Sequence, residues 1–275
     1  MAVPRPKKCF GQNFLTDHGI LSRIVDSLGI EPGESVLEVG PGRGALTRLL
    51  AQKAAHLVAV EVDRQLVPLL QKEFAVASNV TIVEQDILKA DLPRLLAGAA
   101  LPCKVAANLP YNISSQVLFR FLDQHSLFSR LVLMLQKEVG ERLLAPPDCK
   151  EYGILTILCG LHFDIRREFL VRPGAFHPVP KVDSIVLRFD TLSAPRFPVG
   201  EELFFRRLVK TSFAQRRKTL WNCLKGSGLS SDPVLQNGLV NCGIDGGRRG
   251  ETLSLEEFAA LSREILRLSP CQSHP

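Results

Sequence analysis

Apolar residues fall into short runs and into helically spaced stretches that alternate along the first two thirds of the chain. Five runs have the length and composition of buried parallel strands. They lie at residues 36–39, 57–60, 80–83, 104–107 and 131–135. Helical spacing predicts helices at 17–28, 45–54, 65–74, 114–122, 137–144 and 152–159. Asp17, and one of Ser114 and Ser115, are predicted to cap two of these helices. The alternation predicts an α/β fold with a mostly parallel sheet.

The pattern changes in the last third of the chain. Two β-like runs, 162–169 and 183–189, have no helix between them and predict an antiparallel hairpin at the edge of the sheet. Helices are then predicted at 201–213, 215–225, 232–242 and 254–267, the last with a capping box formed by Ser254 and Glu257. The expected organisation is an α/β domain at 1–192 with a basic N-terminal arm, a linker at 193–199, an all-helical domain at 200–270 and a disordered tail at 271–275.

Residues 36–47, VLEVGPGRGALT, join the first strand to the next helix through Gly40, Gly42 and Gly44. A strand, a glycine turn and a helix open a nucleotide-binding βαβ unit, because glycine permits a sharp turn and close approach of a ligand. Dinucleotide-binding folds usually have the spacing G-x-G-x-x-G. The spacing here, G-x-G-x-G, is similar to the first motif of S-adenosylmethionine-dependent methyltransferases. The alternatives are a nicotinamide-dependent dehydrogenase and a tight turn without a ligand.

Two acidic residues follow strands of the same unit. Glu61 ends the second strand, where a carboxylate can accept hydrogen bonds from both hydroxyls of a ribose. Asp86 follows the third strand, at the edge where open α/β sheets bind ligands, and it is predicted to contact the adenine of the cofactor. Helix capping within a loop is the alternative role for Asp86.

The fourth strand leads into Asn108, Leu109, Pro110 and Tyr111, the most specific stretch of the sequence. The Asn108 amide oxygen and the carbonyl of Leu109 or Pro110 can hold an amino group attached to a ring, and Tyr111 offers an aromatic face to a planar base. Two acceptors favour a more tetrahedral nitrogen whose lone pair points at a sulfonium methyl, so catalysis would rest on orientation and electrostatics. A turn without chemistry is the alternative, since asparagine and proline are common turn residues.

Composition narrows the class of protein. Apolar residues make up 45% and charged residues 23% of the 275 residues, as in ordinary globular proteins. No apolar run reaches the ~18 residues of a membrane span, and the N-terminus lacks the apolar core of a secretion signal. Seven cysteines without C-x-x-C spacing indicate free thiols in a reducing compartment and argue against a zinc site. We therefore expect a cytoplasmic protein without a bound metal.

Basic residues are unevenly distributed within a net charge of +6. Residues 203–225 contain seven basic side chains and no acidic one, and a second basic cluster lies at residues 5–8. Two such clusters fit a polyanionic partner such as a nucleic acid. Arg216, Arg217 and Lys218 are consecutive within the larger cluster, and a solvated helix face is their alternative role.

Five segments, in the same order along the chain, resemble the KsgA/RsmA family of bacterial small-subunit (16S) rRNA adenine dimethyltransferases. They are GQNFL at 11–15, the glycine motif, NLPYNIS at 108–114, FHPVPKVDS at 176–184, and SF with RRKTL between 212 and 220. The resemblance covers about residues 5–267. It implies a Rossmann-like S-adenosylmethionine-dependent methyltransferase domain followed by a small all-helical domain.

For the cofactor site, the resemblance implies that Asn13 and Leu15 close over S-adenosylmethionine and that Gly40 contacts it in the glycine loop. It further implies that Asn108 lies between the cofactor and the target. The site expected for the cofactor therefore comprises Asn13, Leu15, Gly40, Gly42, Gly44, Glu61, Asp86 and Asn108.

For the substrate, the resemblance implies two adjacent adenosines in the 3′-terminal hairpin loop of 16S rRNA, in the small subunit or its precursor. Tyr111 and Phe176 are expected to stack on the two faces of the flipped base. The basic residues Arg216, Arg217 and Lys218 are expected to lie along the rRNA backbone, and the protein is expected to act as a monomer.

Two rival functions remain open for this sequence. One is an Erm-type methyltransferase, which acts on 23S rRNA with a similar fold. The other is a non-catalytic RNA- or DNA-binding assembly or transcription factor of the same fold, against which the intact Asn108 and Tyr111 argue.

Overall fold

A computed structural model describes residues 11–269, and within them the chain forms two compact units. The first contains the residues up to 140 together with 164–191, and the second contains 141–163 together with the residues from 192 onward. Segment 141–163 therefore groups with the C-terminal helices, whereas the predicted boundaries assign it to the first domain. Its grouping has a local cause, because the Tyr152 hydroxyl donates to the Leu253 carbonyl and the Asp148 amide donates to the Glu251 carbonyl.

The first unit contains a seven-stranded sheet and a separate two-stranded sheet. The strands are β1 (Phe14–Leu15), β2 (Ser35–Val39), β3 (His56–Glu61), β4 (Val80–Glu84), β5 (Cys103–Asn108), β6 (Phe128–Gln136), β7 (Phe163–Val171), β8 (Phe176–His177) and β9 (Ser184–Thr191). The order in the large sheet is β4-β3-β2-β5-β6-β9-β7. Strands β2 to β6 pair in parallel and β9 pairs antiparallel to β6, which confirms the predicted parallel sheet with an antiparallel edge.

The helices of the α/β unit alternate with the parallel strands along the chain, as the pattern predicts. They are α1 (His18–Leu28), α2 (Ala45–Leu50), α3 (Val67–Glu73), α4 (Leu92–Leu95), α5 (Ser114–Asp123) and the start of α6 (Lys137–Leu143). Helix α1 begins after Asp17, whose side chain accepts the Ile20 amide at 3.0 Å, and ends at Leu28, where Gly29 with φ +56° is the C-cap. Strand β2 is buried along its whole length, so it carries no outward polar face.

Two local expectations are wrong here, and two short strands were not predicted. Neither Ser114 nor Ser115 caps α5; the cap is Ile113, and the Ser114 hydroxyl instead donates to the Tyr111 carbonyl at 3.3 Å. His162 ends a helix rather than opening a strand. The short strands β1 and β8, which pair antiparallel, are absent from the prediction because two residues carry no readable period.

The second unit is built from α7 (Ile154–His162), α8 (Glu202–Ser212), α9 (Leu220–Leu224), α10 (Asp232–Asn241) and α11 (Leu255–Leu268). Its core contains the fully buried rings of Phe205 and Phe258. The capping box of α11 is confirmed, since Ser254 Oγ accepts the Glu257 amide and Glu257 Oε2 accepts the Ser254 amide. Helix α9 starts five residues later than predicted because Thr219 caps it.

Among residues 11–269, no helix combines the length and the apolar character that crossing a bilayer requires.

Candidate active site

The glycine turn after β2 has the backbone geometry that its sequence requires. Gly40, Gly42 and Gly44 have φ angles of +71°, +58° and +76°, which other residues rarely adopt. A Cβ on Gly42 would lie 2.9 Å from Cδ1 of Phe14, so the turn and the β1 segment are in close contact. At Gly40 a Cβ would meet no described atom within 4 Å, so this part of the turn faces open space.

That open space is a cavity of about 850 Å³ in the first unit, a volume suited to a ligand of nucleoside size or larger. Its wall contains most of the predicted cofactor and catalytic residues, namely Asn13, Leu15, Gly40, Gly42, Glu61, Asp86, Asn108, Leu109, Pro110 and Tyr111. Gly44 and Phe176 are not in this wall. Gly44 instead packs toward α3, since a Cβ there would lie 3.1 Å from Leu70 Cδ2.

Glu61 connects the end of β3 to the glycine turn. Its Oε2 accepts the Gly42 amide at 3.0 Å, and its Oε1 accepts the amides of Val62 and Asp63, each at 2.9 Å. Burial raises the pKa of Glu61, the three amides lower it, and the neighbouring Asp63 carboxylate raises it further. Glu61 thus fixes the turn and also belongs to the wall of the cavity.

Glu38 is the second buried carboxyl group of the cavity wall. It is only 1% exposed, and its Oε2 has no hydrogen-bond partner among the described residues. Burial raises the pKa of Glu38 to about 8; the Thr47 hydroxyl lowers it and the Glu61 carboxylate raises it. An unpaired buried carboxyl oxygen at a cavity is suited to a polar or cationic ligand group.

Asp86 lies in the loop after β4, as the sequence predicts. Its Oδ1 accepts the Leu88 amide at 2.9 Å, and its backbone carbonyl accepts the Lys89 amide at 2.9 Å. These two bonds correspond to the alternative role, capping within a loop, that the sequence leaves open for Asp86. The residue nevertheless also belongs to the wall of the cavity. Its Oδ2 has no hydrogen-bond partner within the described chain, so one carboxylate oxygen remains for a ligand amine.

At the end of β5, hydrogen bonds show which polar groups of residues 108–111 are already engaged and which remain available to a ligand. The Asn108 side-chain nitrogen donates to the Asn13 carbonyl at 3.1 Å, which leaves the amide oxygen as an acceptor. The Leu109 amide donates to Met134 of β6 at 3.1 Å, and the Pro110 carbonyl accepts the Ile113 amide at 3.1 Å. Burial raises the pKa of Tyr111, whose hydroxyl is 2.7 Å from Ser184 Oγ.

Phe176 occupies a different environment from Tyr111. It is 3% exposed and belongs to the apolar core that also contains Leu15, its partner across the β1–β8 pair. The role predicted for Phe176, stacking on a base, remains a prediction, and it requires the ring to leave this core or the base to reach it. The β1–β8 pair does connect the GQNFL segment to the FHPVP segment, which the sequence does not reveal.

Sequence reasoning misses three residues that support the site. Gln12 Nε2 donates to Asp63 Oδ2 at 3.0 Å, although the two residues are 51 positions apart, and Asp63 is 1% exposed. Ser184, which is fully buried, holds the Tyr111 hydroxyl. Gln12 and Ser184 lie inside quoted motifs and Asp63 lies two residues after Glu61, but only the fold brings the partners together.

The predicted RNA-binding residues are exposed in the turn that precedes α9, not on a helix. Arg216 donates to the Lys150 carbonyl at 2.5 Å and lies 3.5 Å from the Glu251 carboxylate. Arg217 and Lys218 form no ion pair with any residue in the described range. Their charges are therefore available to an anionic partner.

The open face at Gly40 and the unpaired Glu38 oxygen suit an adenosine that carries an amino acid, and the surrounding fold defines the protein as an S-adenosylmethionine-dependent methyltransferase. Solved structures that share this architecture include two RNA methyltransferases. A dimethyladenosine transferase from Plasmodium falciparum has a TM-score of 0.82 at 25% identity, covering 93% of this chain and 98% of its own. The 23S rRNA methyltransferase ErmE has a TM-score of 0.69 at 25% identity, covering 92% and 99%.

Within this class, the chain belongs to the ribosomal RNA adenine dimethylase family, which it matches over residues 4–265. The Ribosomal RNA small subunit methyltransferase A of Geobacter sulfurreducens is 61% identical over 95% of this chain and 96% of its own length. That of Syntrophotalea carbinolica is 53% identical over 95% and 97%.

Proposed function

We propose that this protein transfers two methyl groups to the exocyclic amine of each of two adjacent adenosines in the 3′-terminal hairpin loop of 16S rRNA. The observation that carries the proposal is the amide of Asn108, a residue of the cavity wall, whose nitrogen is engaged by the Asn13 carbonyl and whose oxygen is left as an acceptor. High identity over nearly the whole chain to small-subunit methyltransferases supports the choice of substrate.

The residues of the cavity suit the parts of the methyl donor. S-adenosylmethionine, when bound, supplies an activated methyl group on a sulfonium. We assign Glu61 to the ribose hydroxyls, Asp86 Oδ2 to the adenine amine and the open face of Gly40 to close contact with the ligand. Asn13 and Leu15 form the adjoining wall, and Gly42 keeps Phe14 packed against the turn.

The target amine needs two hydrogen-bond acceptors. The hydrogen bonds already formed within residues 108–111 favour one pair of acceptors over the other. Asn108 Oδ1 is the first. The second is the Leu109 carbonyl, because the Pro110 carbonyl already accepts the Ile113 amide in a turn. Holding both protons of the unmethylated amine, or the one proton of the monomethylated amine, directs its lone pair toward the methyl group, and Tyr111 supplies a stacking face for the base. No proton needs to be removed beforehand, since the methylated amine is acidic enough to lose its proton to water.

Arg217 and Lys218 are proposed to contact the rRNA backbone, with Arg216 in a secondary role. Their exposure and lack of acidic partners in the described structure support this role. Phosphate contacts of this kind position the RNA without reading its sequence.

The test is transfer of labelled methyl groups to unmethylated small subunits, with large subunits as the competing substrate and mapping of the modified nucleosides. Two dimethyladenosines side by side near the 3′ end of 16S rRNA are the expected product. Modification of 23S rRNA, or binding of small subunits without any transfer, would contradict the proposal. Asn108→Ala serves as the inactive control.

A further inference from the structure

The hydroxyl of Tyr111 is held by a residue far away in the sequence. Tyr111 Oη and Ser184 Oγ lie 2.7 Å apart, and the two residues are separated by 73 positions. Ser184 is completely buried, whereas Tyr111 is half-buried and belongs to the wall of the cavity. The contact therefore joins a fixed interior group to a ring at the surface of the site.

Ser184 is anchored in the sheet by the pairing of β9 with β6. It is the first residue of β9 and pairs with Gln136 of the antiparallel strand β6. The carbonyl of the preceding residue, Asp183, accepts the Lys137 amide at 3.0 Å. The hydroxyl of Ser184 consequently has a position set by the backbone of two strands.

Tyr111 lacks such an anchor in its own segment. It lies in the turn between β5 and α5, where the Ile113 amide bonds to the Pro110 carbonyl and the Ser114 hydroxyl to the Tyr111 carbonyl. These bonds fix the backbone of the turn but leave the ring free to rotate about its side-chain torsions. The Ser184 contact is the one hydrogen bond of the Tyr111 side chain within the described residues, and by holding Oη it sets the direction of the long axis of the ring.

We propose that Ser184 is a positioning residue of the target-base site: it orients the ring of Tyr111 so that the adenine stacks with its amine at the Asn108 and Leu109 acceptors. This inference rests on the proposed function, because it presumes that Tyr111 faces the target base. A serine in a fully buried strand position is costly unless its hydroxyl is bonded, and alanine would fill the same place without that requirement. The hydroxyl is thus explained by its partner and not by packing.

Orientation of the ring affects the chemistry more than the affinity. A base that stacks at a wrong angle still buries its face, but its amine is displaced from the acceptors, and a displacement of ~1 Å can lower a rate by as much as ~100-fold. Loss of the Ser184 hydroxyl should therefore lower the rate of transfer while cofactor binding stays unchanged.

The experiment compares Ser184→Ala, Tyr111→Phe and the double variant. The single-turnover rate is measured at saturating cofactor and small subunits, together with cofactor affinity by calorimetry and the melting temperature. Ser35→Ala is the matched control, because Ser35 is also a buried hydroxyl at the start of a strand of this unit, where it accepts the Ala100 amide at 2.8 Å. It should lower the melting temperature without changing the rate.

Each single variant should reduce the rate by about tenfold, and the double variant should be no more than about twofold slower than either, because both remove the same bond. The assignment would be overturned if the rate losses of the two single variants add up in the double variant. It would also be overturned if Ser184→Ala transfers methyl groups within about twofold of the parent rate, or if its affinity for the cofactor falls as much as its rate. These outcomes can be told apart from a failure of the proposed function, because in that case the parent protein itself would transfer no methyl group to small subunits.

Discussion

The side-chain nitrogen of Asn108 donates a hydrogen bond to the backbone carbonyl of Asn13, 3.1 Å away. The bond joins the end of β5 to the segment that enters β1, across 95 positions of sequence. An amide has one donor end and one acceptor end, so fixing the nitrogen also fixes the direction of the oxygen. The N-terminal segment therefore contributes to the orientation of the group assigned to the target amine.

Asn108→Ala should lower single-turnover transfer by about 100-fold or more, as expected when one precisely placed polar group of an active site is removed. Asn108→Asp should also be slow, because a carboxylate cannot donate to the Asn13 carbonyl. Cofactor affinity should change by only a few fold in Asn108→Ala.

Asn79→Ala is the control for these variants, since the Asn79 amide also donates to backbone carbonyls, those of Ala51 and Ala54, but lies outside the cavity wall. It should reduce stability and leave the rate intact. Transfer by Asn108→Ala within a few fold of the parent would refute the role of Asn108.

Gln12→Glu should weaken binding of S-adenosylmethionine by about tenfold, which corresponds to ~1.4 kcal/mol. The change places a second carboxylate beside the buried Asp63, where Gln12 now donates a hydrogen bond at 3.0 Å. Repulsion between the two should displace residues 11–15 from the cavity wall. Titration calorimetry measures the effect, and Gln71→Glu, on the exposed face of α3, is the matched control. Equal affinities for all three proteins would show that the Gln12 contact has no bearing on the cofactor.

Glu61→Ala should weaken cofactor binding by ~1.5–3 kcal/mol, because the ribose loses a charge-assisted acceptor. Glu61→Gln should also bind the cofactor weakly, because the hydrogen bonds of the carboxylate to the backbone would be lost in part. Three backbone amides converge on the two carboxylate oxygens, and the NH₂ end of a glutamine cannot accept any of them. The glycine turn should therefore be disturbed as well, which amide exchange at Gly42 would report. An unchanged dissociation constant in both variants would remove Glu61 from the site.

The parallel part of the fold can be predicted from sequence because its signals are local. The five apolar runs match β2 to β6, and Asp17 and Leu28 bound α1 closely because a cap and a glycine mark its ends. Glu61, Asp86 and Asn108 reach one cavity because parallel strands bring their carboxyl ends to one edge of the sheet. Their shared location follows from topology alone.

The contacts that complete the site depend on side chains that meet only after folding. Nothing in the sequence pairs Leu15 with Phe176, or Tyr111 with Ser184, since each pair is distant and each residue has an adequate local role. The stacking of Phe176 on a base stays a prediction for a related reason. The motif is intact, but an aromatic residue beside other apolar residues can equally be buried in the core, as it is here.

Arg217→Ala combined with Lys218→Ala should weaken binding to rRNA and reduce its salt dependence. Each lost phosphate contact lowers the magnitude of the slope of log K against log salt by about 0.7–0.9. Arg216→Ala should have a smaller effect, because its guanidinium is engaged by the Glu251 carboxylate and the Lys150 carbonyl. Arg267→Ala, an exposed arginine paired with Glu264, is the control. If the slope of log K against log salt is unaltered in the double variant, Arg217 and Lys218 are solvated residues of a turn and do not contact the rRNA.

Glu38, the buried carboxyl group with an unpaired oxygen, should make the stability of the protein depend on pH. Burial raises its pKa to about 8 in the folded protein, from 4.5 for an unperturbed side chain. Between these two values the folded protein holds a proton on Glu38 that the unfolded chain releases. Stability rises with pH only where the unfolded state binds more protons, so here the contribution of Glu38 must fall as pH rises. The loss begins near the lower pKa and is complete above the higher one.

Glu38→Gln removes this ionisation while it keeps the size of the side chain. Between pH 6 and pH 7 the free energy of unfolding of the cofactor-free parent should therefore fall by about 1.4 kcal/mol relative to the variant, the value for one proton over one pH unit. Urea unfolding at several pH values measures the difference, and Glu256→Gln, at an exposed position of α11, should keep the parent's pH dependence. If the gap between parent and Glu38→Gln stays constant over this window, Glu38 is ionised in the folded protein. In that case its unpaired oxygen must be satisfied by water, and the cavity is more polar than the burial of Glu38 implies.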